Sequence, residues 1–379
     1  MTEQFKKLSP PERILMGPGP SNVSKAVYDA LATPIIGHLD PDFLTIMDEI
    51  GAMLREVFQT RNRLTIPMSG TGSSGMETAF VNIIEPGDTV VIGVNGVFGE
   101  RMCDVASRCG AKTVRVEANW GDIVEPDAFI NALKENPAAK AAAVVHAETS
   151  TGALQPLEEI GAHTAQTDTL FVVDAVTSLA GCDLKIDGWN VDVCYSGTQK
   201  CLSVPPGISP VTFSERAEKT LAAKKSKVQS WYLDLGMICK YWGSERVYHH
   251  TAPVSMLFAL REGLRVILEE GLENRFERHR KLGNLLSSKL AELGFKPFAR
   301  EGYRLPMLAS VILPDGLPDA ETRKHLLKDR KIEVGPGLGE TKGKIWRVGL
   351  MGESCTAENV EALSSALKEI TAADGRGAG

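Results

Sequence analysis

Gly70, Gly72 and Gly75, together with Asp174 and Lys200, are residues of this chain whose types and settings could do chemistry. The glycines lie in Met68-Ser-Gly-Thr-Gly-Ser-Ser-Gly-Met-Glu-Thr-Ala-Phe80 and fit the spacing G-x-G-x-x-G. A glycine turn that runs into a helix, expected over 74–84, offers unpaired N–H groups and a positive dipole end to an anion. The same spacing serves dinucleotide sites, but two features oppose that reading. Pro67 in the preceding apolar segment suits a central parallel strand poorly. The dinucleotide fingerprint also wants an acid at the end of the next strand, about 20 residues on. Here Glu85 and Asp88 come before the strand expected at 89–93. The turn therefore reads as a phosphate cradle of unspecified owner, or as a plain helix start. Asp174 ends the apolar run LFVVD, where a carboxylate is costly to bury without a partner; it also fits the N-cap of the next segment. Lys200 follows Tyr195-Ser-Gly-Thr-Gln and fits either an amine nucleophile or an exposed lysine.

The elements that must position these groups have a regular rhythm. Strands are expected at 89–93, 112–116, 141–146, 170–174, 191–196 and 208–213, with helices between them at 99–109, 125–136 and 157–167. Such alternation predicts a mainly parallel sheet. Runs such as AAAVVH and LFVVD are apolar on both faces, as buried parallel strands should be. Ligands of these sheets gather at the carboxyl ends of strands, where Asp174 and the turn leading to Lys200 fall. After Pro253 the pattern becomes α+β. A long helix over 254–293 breaks near Gly271, followed by strands at 308–313 and 345–348 and helices at 319–329 and 356–371. The expected organisation is an arm at 1–15, a large α/β domain at 16–270 and a small α+β domain at 271–379, without internal repeats.

Net charge is −6 with no long basic run, which argues against nucleic acid or an anionic membrane as partner. No apolar run approaches a bilayer span, and the polar opening MTEQFKKLSPPER is not expected to be a secretory leader. The tail ADGRGAG carries no peroxisomal address. Seven scattered cysteines without a C-x-x-C pair suit reduced thiols in a cytoplasmic protein, and none suggests a metal site.

An anion-binding helix start, a strand-end aspartate and a lysine in a hydroxyl-rich turn meet the three polar requirements of pyridoxal 5'-phosphate. The phosphate needs N–H and hydroxyl donors, the pyridine nitrogen a carboxylate, and the aldehyde an amine for a Schiff base. Phe98 could supply an aromatic platform for the ring.

With these residues in place, the chain resembles class V aminotransferases of PLP fold type I, in the alanine–glyoxylate and serine–glyoxylate branch. The matching stretches are GPGPSNV (17–23), FQTRN (58–62), SGTGSSGMETAFVNIIEPGD (69–88), NGVFGER (95–101), HAETSTGALQPL (146–157), VVDAVTSLAG (172–181), YSGTQKCLSVPPG (195–207), YHHTAPVS (248–255), GLEN (271–274) and GKIWRVGLMG (343–352). The resemblance implies that Lys200 forms the Schiff base and moves the proton, and that Asp174 pairs with the pyridine nitrogen. It implies that Thr71, Gly72, Ser73 and Gln199 lie at the phosphate, Val176 and Phe98 at the ring faces, and Thr149 at the 3'-oxygen. Tyr248 and Thr251 would reach the phosphate of a second subunit, making a homodimer with shared sites. Arg347 would clamp the substrate carboxylate, with the backbone of Gly17 and Gly19 lining the pocket. Ser73 stands where some relatives carry histidine, and Phe98 where tryptophan is frequent.

The implied reaction moves an amino group from alanine or serine to glyoxylate. Aspartate, ureidoglycine or 3-hydroxykynurenine as donor, and pyruvate as acceptor, remain alternatives. A cysteine desulfurase of the same fold would need a loop cysteine ahead of Arg347, and RKIEVGPGLGETKG has none. A dehydrogenase would lack the visible absorbance of a PLP Schiff base. A catalytically silent module would not need both Lys200 and Asp174.

Overall fold

The computed structural model describes Phe5 and residues 7–373. Its large sheet has seven strands in the order Leu64–Ser69, Ile208–Phe213, Val193–Tyr195, Leu170–Asp174, Ala141–Val145, Thr89–Val94 and Lys112–Glu117. Ile208–Phe213 runs against both neighbours; the other four pairings are parallel, as the βαβ rhythm predicts. The Pro67-bearing strand is therefore an antiparallel edge strand, a place where a missing N–H is tolerated.

Alternation along the central strands feeds two cores. Val91, Ala142, Val144, Phe171 and Val173 pack on one face. Val90, Ile92, Ala141, Ala143, Leu170 and Val172 pack on the other. This period of two explains why these strands read as unbroken apolar runs. The fold is α/β, with a mainly parallel sheet covered on both faces.

A second sheet has the order Ile14–Met16, Ile332–Pro336, Ile345–Gly349, Leu308–Ile312 and Lys296–Pro297. Its core includes Trp346, Val348, Leu286 and Leu363. Helices Val254–Glu270 and Leu272–Glu292 meet at Gly271, whose φ of 80° ends the first helix where the sequence places the break. Two strands depart from the expectation. Ile14–Met16 straddles the boundary expected between the arm and the large domain and pairs in parallel with Ile332–Pro336. Ile332–Pro336 reads as loop in sequence because Gly335, Pro336 and Gly337 mask its short apolar pattern. No helix among the described residues is long and apolar enough to cross a membrane.

Candidate active site

The carboxyl ends of the large sheet border a cavity of about 200 Å³. Thr71, Gly72 and Ser73 line one side, Phe98 and Thr149 another, and Asp174, Val176, Gln199 and Lys200 complete it. Nine sequence-nominated residues are thus brought together from separate loops.

The helix Gly72–Ile83 starts at the cavity wall. Thr71 is its N-cap in an extended conformation but makes no side-chain cap bond. Ser74 N–H bonds back to the Thr71 carbonyl at 2.7 Å, which leaves the N–H groups of Gly72 and Ser73 open to an anion. Close packing explains a glycine here: a Cβ on Gly72 would stand 3.0 Å from Val176 Cγ2.

Asp174 ends the central strand Leu170–Asp174 and is 3% exposed. Its Oδ1 accepts the Val176 N–H at 2.8 Å, and no cation lies within ion-pair distance among the described residues. Burial pushes this carboxyl up to about 7, against the lowering effect of the Val176 N–H. Tyr195 pairs in register with Asp174, and its buried hydroxyl faces that carboxylate without a well-formed hydrogen bond.

Lys200 Nζ donates to the Pro18 carbonyl and has no carboxylate partner among the described residues. Burial, with a smaller contribution from the Arg347 charge, lowers its amine to about 8. The Gly17–Gly19 turn does not line the cavity but lies against this lysine. A Cβ on Gly19, where φ is 105°, would fall 2.6 Å from Lys200 Cδ. Two further bonds hold the turn to the lysine loop: Ser21 N–H donates to Gln199 O at 2.9 Å, and Ser21 Oγ to Lys200 O at 2.8 Å.

Arg347 stands mid-strand in Ile345–Gly349 and is 6% exposed. Its Nε donates to Pro336 O at 2.8 Å and its Nη1 to Thr149 O at 3.5 Å. Burial lowers this guanidinium to about 10, partly offset by the nearby Glu148 charge. Tyr248 is 56% exposed, and neither it nor Thr251 lines the cavity of its own chain.

Sequence reading passed over three residues. Arg101 lines the cavity, holds its guanidinium carbon 4.9 Å from the Phe98 ring centroid, and donates to Ser73 Oγ at 3.4 Å. Its spacing of three from Phe98 on one helix was an available signal. Tyr195 and Glu148 needed the tertiary pairing to be found.

The cavity fits pyridoxal phosphate on the chemistry of its donors. A helix start with open Gly72 and Ser73 N–H groups, the Gln199 amide whose NH₂ can donate to a phosphate, an unpaired carboxylate and an amine without an ion pair line one space. This is the constellation of a fold type I PLP enzyme. The family Aminotransferase class-V matches residues 23–363. A solved alanine–glyoxylate aminotransferase from Nostoc sp. superposes with a TM-score of 0.95 at 47% identity, covering 97% of each chain. The (S)-ureidoglycine–glyoxylate transaminase of Bacillus subtilis is 39% identical over 96% of this chain and 92% of its own length. The alanine–glyoxylate aminotransferase of Rattus norvegicus is also 39% identical, over 96% and 89%. The chain belongs to the class V aminotransferases and is a PLP-dependent aminotransferase.

Proposed function

We propose that the enzyme transfers the amino group of a small uncharged L-amino acid, alanine or serine, to glyoxylate. The observation that carries this reading is Arg347, a buried guanidinium beside the Lys200 cavity with no carboxylate partner among the described residues. Its planar fork suits the one carboxylate that alanine, serine and glyoxylate share. Arg101 also reaches the cavity, but its bond to Ser73 directs it to the helix start. An acidic donor would then bury a second carboxylate without a dedicated clamp, which is costly. The names of the relatives supply glyoxylate as the common acceptor.

When bound, pyridoxal phosphate supplies a ring that takes up the charge developing at the substrate α-carbon. Lys200 would supply the amine that holds the cofactor aldehyde and would carry the proton at that carbon; burial leaves its amine near 8, suited to both tasks. Asp174 would pair with the pyridine nitrogen, and such a positive partner would favour its ionised form despite burial. Thr71, Gly72, Ser73 and Gln199 would hold the phosphate, while Val176 and Phe98 would confine the ring. Thr149 would lie toward the 3'-oxygen, and the Gly17–Gly19 backbone, resting on Lys200, would border the substrate beyond the cavity lining. Tyr248 and Thr251 complete the phosphate site of a second copy in a homodimer, within the cytoplasm.

The test is a panel of amino donors with glyoxylate or pyruvate, repeated with Arg347→Lys. Alanine or serine with glyoxylate should be preferred, and the variant should show a raised KM for both substrates because lysine offers a point charge without a fork. Preference for glutamate or aspartate would overturn the reading of the pocket. Preference for ureidoglycine would move the assignment to another donor of the same reaction.

A further inference from the structure

Glu148 is fully buried, yet no cation lies within ion-pair distance among the described residues. Its partners all donate. Oε2 accepts Phe98 N–H at 3.0 Å and Gly99 N–H at 3.4 Å. Oε1 accepts Ser150 N–H at 3.0 Å and Ser150 Oγ–H at 2.5 Å. Ser150 Oγ in turn accepts Val97 N–H at 3.0 Å. These bonds satisfy the first three N–H groups of helix Val97–Arg108, whose N-cap Gly96 has no side chain to offer. The approach requires that glycine: a Cβ on Gly96 would stand 2.5 Å from both Glu148 Cγ and Ser150 Oγ.

We propose that Glu148 is a positioning residue that caps this helix from another strand and thereby fixes Phe98 as the platform for the cofactor ring. The inference rests on the platform role of Phe98 proposed above. An ionised carboxylate suits the task because it presents only acceptors, and a helix start favours negative charge. Glutamine is nearly the same size, but its NH₂ would oppose either the Phe98 and Gly99 N–H groups or the Ser150 N–H. Burial raises the Glu148 pKa, while the Ser150, Phe98 and Gly99 bonds lower it.

The test is a double-mutant cycle on the full-length holoenzyme, read by loss of the cofactor's visible absorbance and circular dichroism on dilution. Glu148→Gln should weaken PLP retention by about tenfold, the scale of lost hydrogen bonds to a buried charge. In a Phe98→Ala background the same substitution should change retention by less than about twofold, because its effect passes through Phe98. Equal weakening in both backgrounds would overturn the proposal, since Glu148 would then support the fold at large. No weakening in either would overturn it as well. If Phe98→Ala alone leaves retention unchanged, the platform role itself fails, an outcome distinct from a failure at Glu148. Should Glu148→Gln not fold, Ser150→Ala removes the acceptor of Val97 N–H and one donor to Glu148 Oε1, and the same cycle should give about a threefold loss confined to the background with Phe98 intact.

Discussion

The cavity at the strand ends and the segment Tyr248-His-His-Thr251 are both rich in polar and aromatic groups, yet they are built in opposite ways. At the cavity, Asp174, Arg347 and Glu148 are almost wholly buried, and their geometry is set by backbone groups of their own chain. Near Tyr248, large side chains stand in the open: Trp231 is 62% exposed, Tyr248 56% and Val247 49%. The ring partners of Trp231 and Tyr248 are histidines, with Tyr248 5.3 Å from His38. Trp231 stacks on His249 at 4.3 Å, His249 Nδ1 lies 2.8 Å from His250 Nδ1, and His250 Nε2 lies 3.0 Å from Ser69 Oγ. Ser69 precedes the phosphate turn, so the exposed cluster touches the rear of the proposed site. The contrast teaches that the buried groups find their partners within their own chain, while the exposed segment carries side chains that we propose meet a second copy. Exposed apolar groups clustered in this way mark an interaction surface.

The sharpest test of the first region is Lys200→Ala. It should abolish transamination with a loss beyond the ~10²–10⁴-fold of general acid–base help, while thermal unfolding stays cooperative. Wild-type turnover in that variant would remove the lysine from the mechanism. Asp174→Asn should keep PLP bound, as judged by absorbance, and still reduce turnover sharply, because the amide cannot hold the ring nitrogen protonated. Unchanged turnover would leave Asp174 as only a cap for Val176.

The second region is tested by mixing. Lys200→Ala subunits combined with Tyr248→Phe/Thr251→Ala subunits should regain part of the activity. In each mixed dimer one site carries both lesions and the other carries none. No recovery after verified subunit exchange would break the proposed link between the exposed segment and a neighbour's cavity.

A smaller effect separates the regions by pH. His146, behind the Asp174 strand, is 3% exposed, its Nδ1 has no partner, and burial lowers its pKa to about 4. In the unfolded chain it titrates near 6.5, so the unfolded state binds more protons between those values. Stability should therefore fall as pH drops from about 6.5 towards 4, by up to about 3 kcal/mol from this group. His146→Phe should flatten that part of a denaturation profile. An unchanged slope would show that the ring escapes its buried setting before it must ionise.

Much of the catalytic cluster was legible because each member follows a strand end or opens a helix, positions that apolar periodicity marks. Asp174 after LFVVD and Lys200 after the short strand Val193–Tyr195 are examples. The Gly70–Gly75 turn was legible for the same reason, since it precedes the helix Gly72–Ile83. Ile14–Met16 was not, because three apolar residues carry no period and gain their partner about 320 residues later.

Alone, the sequence determined the alternation that builds the large sheet, the break at Gly271 and the motif residues gathered around the cavity. These are set by local periodicity, backbone preference and strand-end position. Only the tertiary structure decided that the Gly17–Gly19 turn rests on Lys200, that Tyr195 stands opposite Asp174, and that Glu148 caps the helix carrying Phe98. Those contacts join segments up to 182 residues apart, and hydrogen-bond donors and acceptors leave no repeat in the sequence to announce such partners.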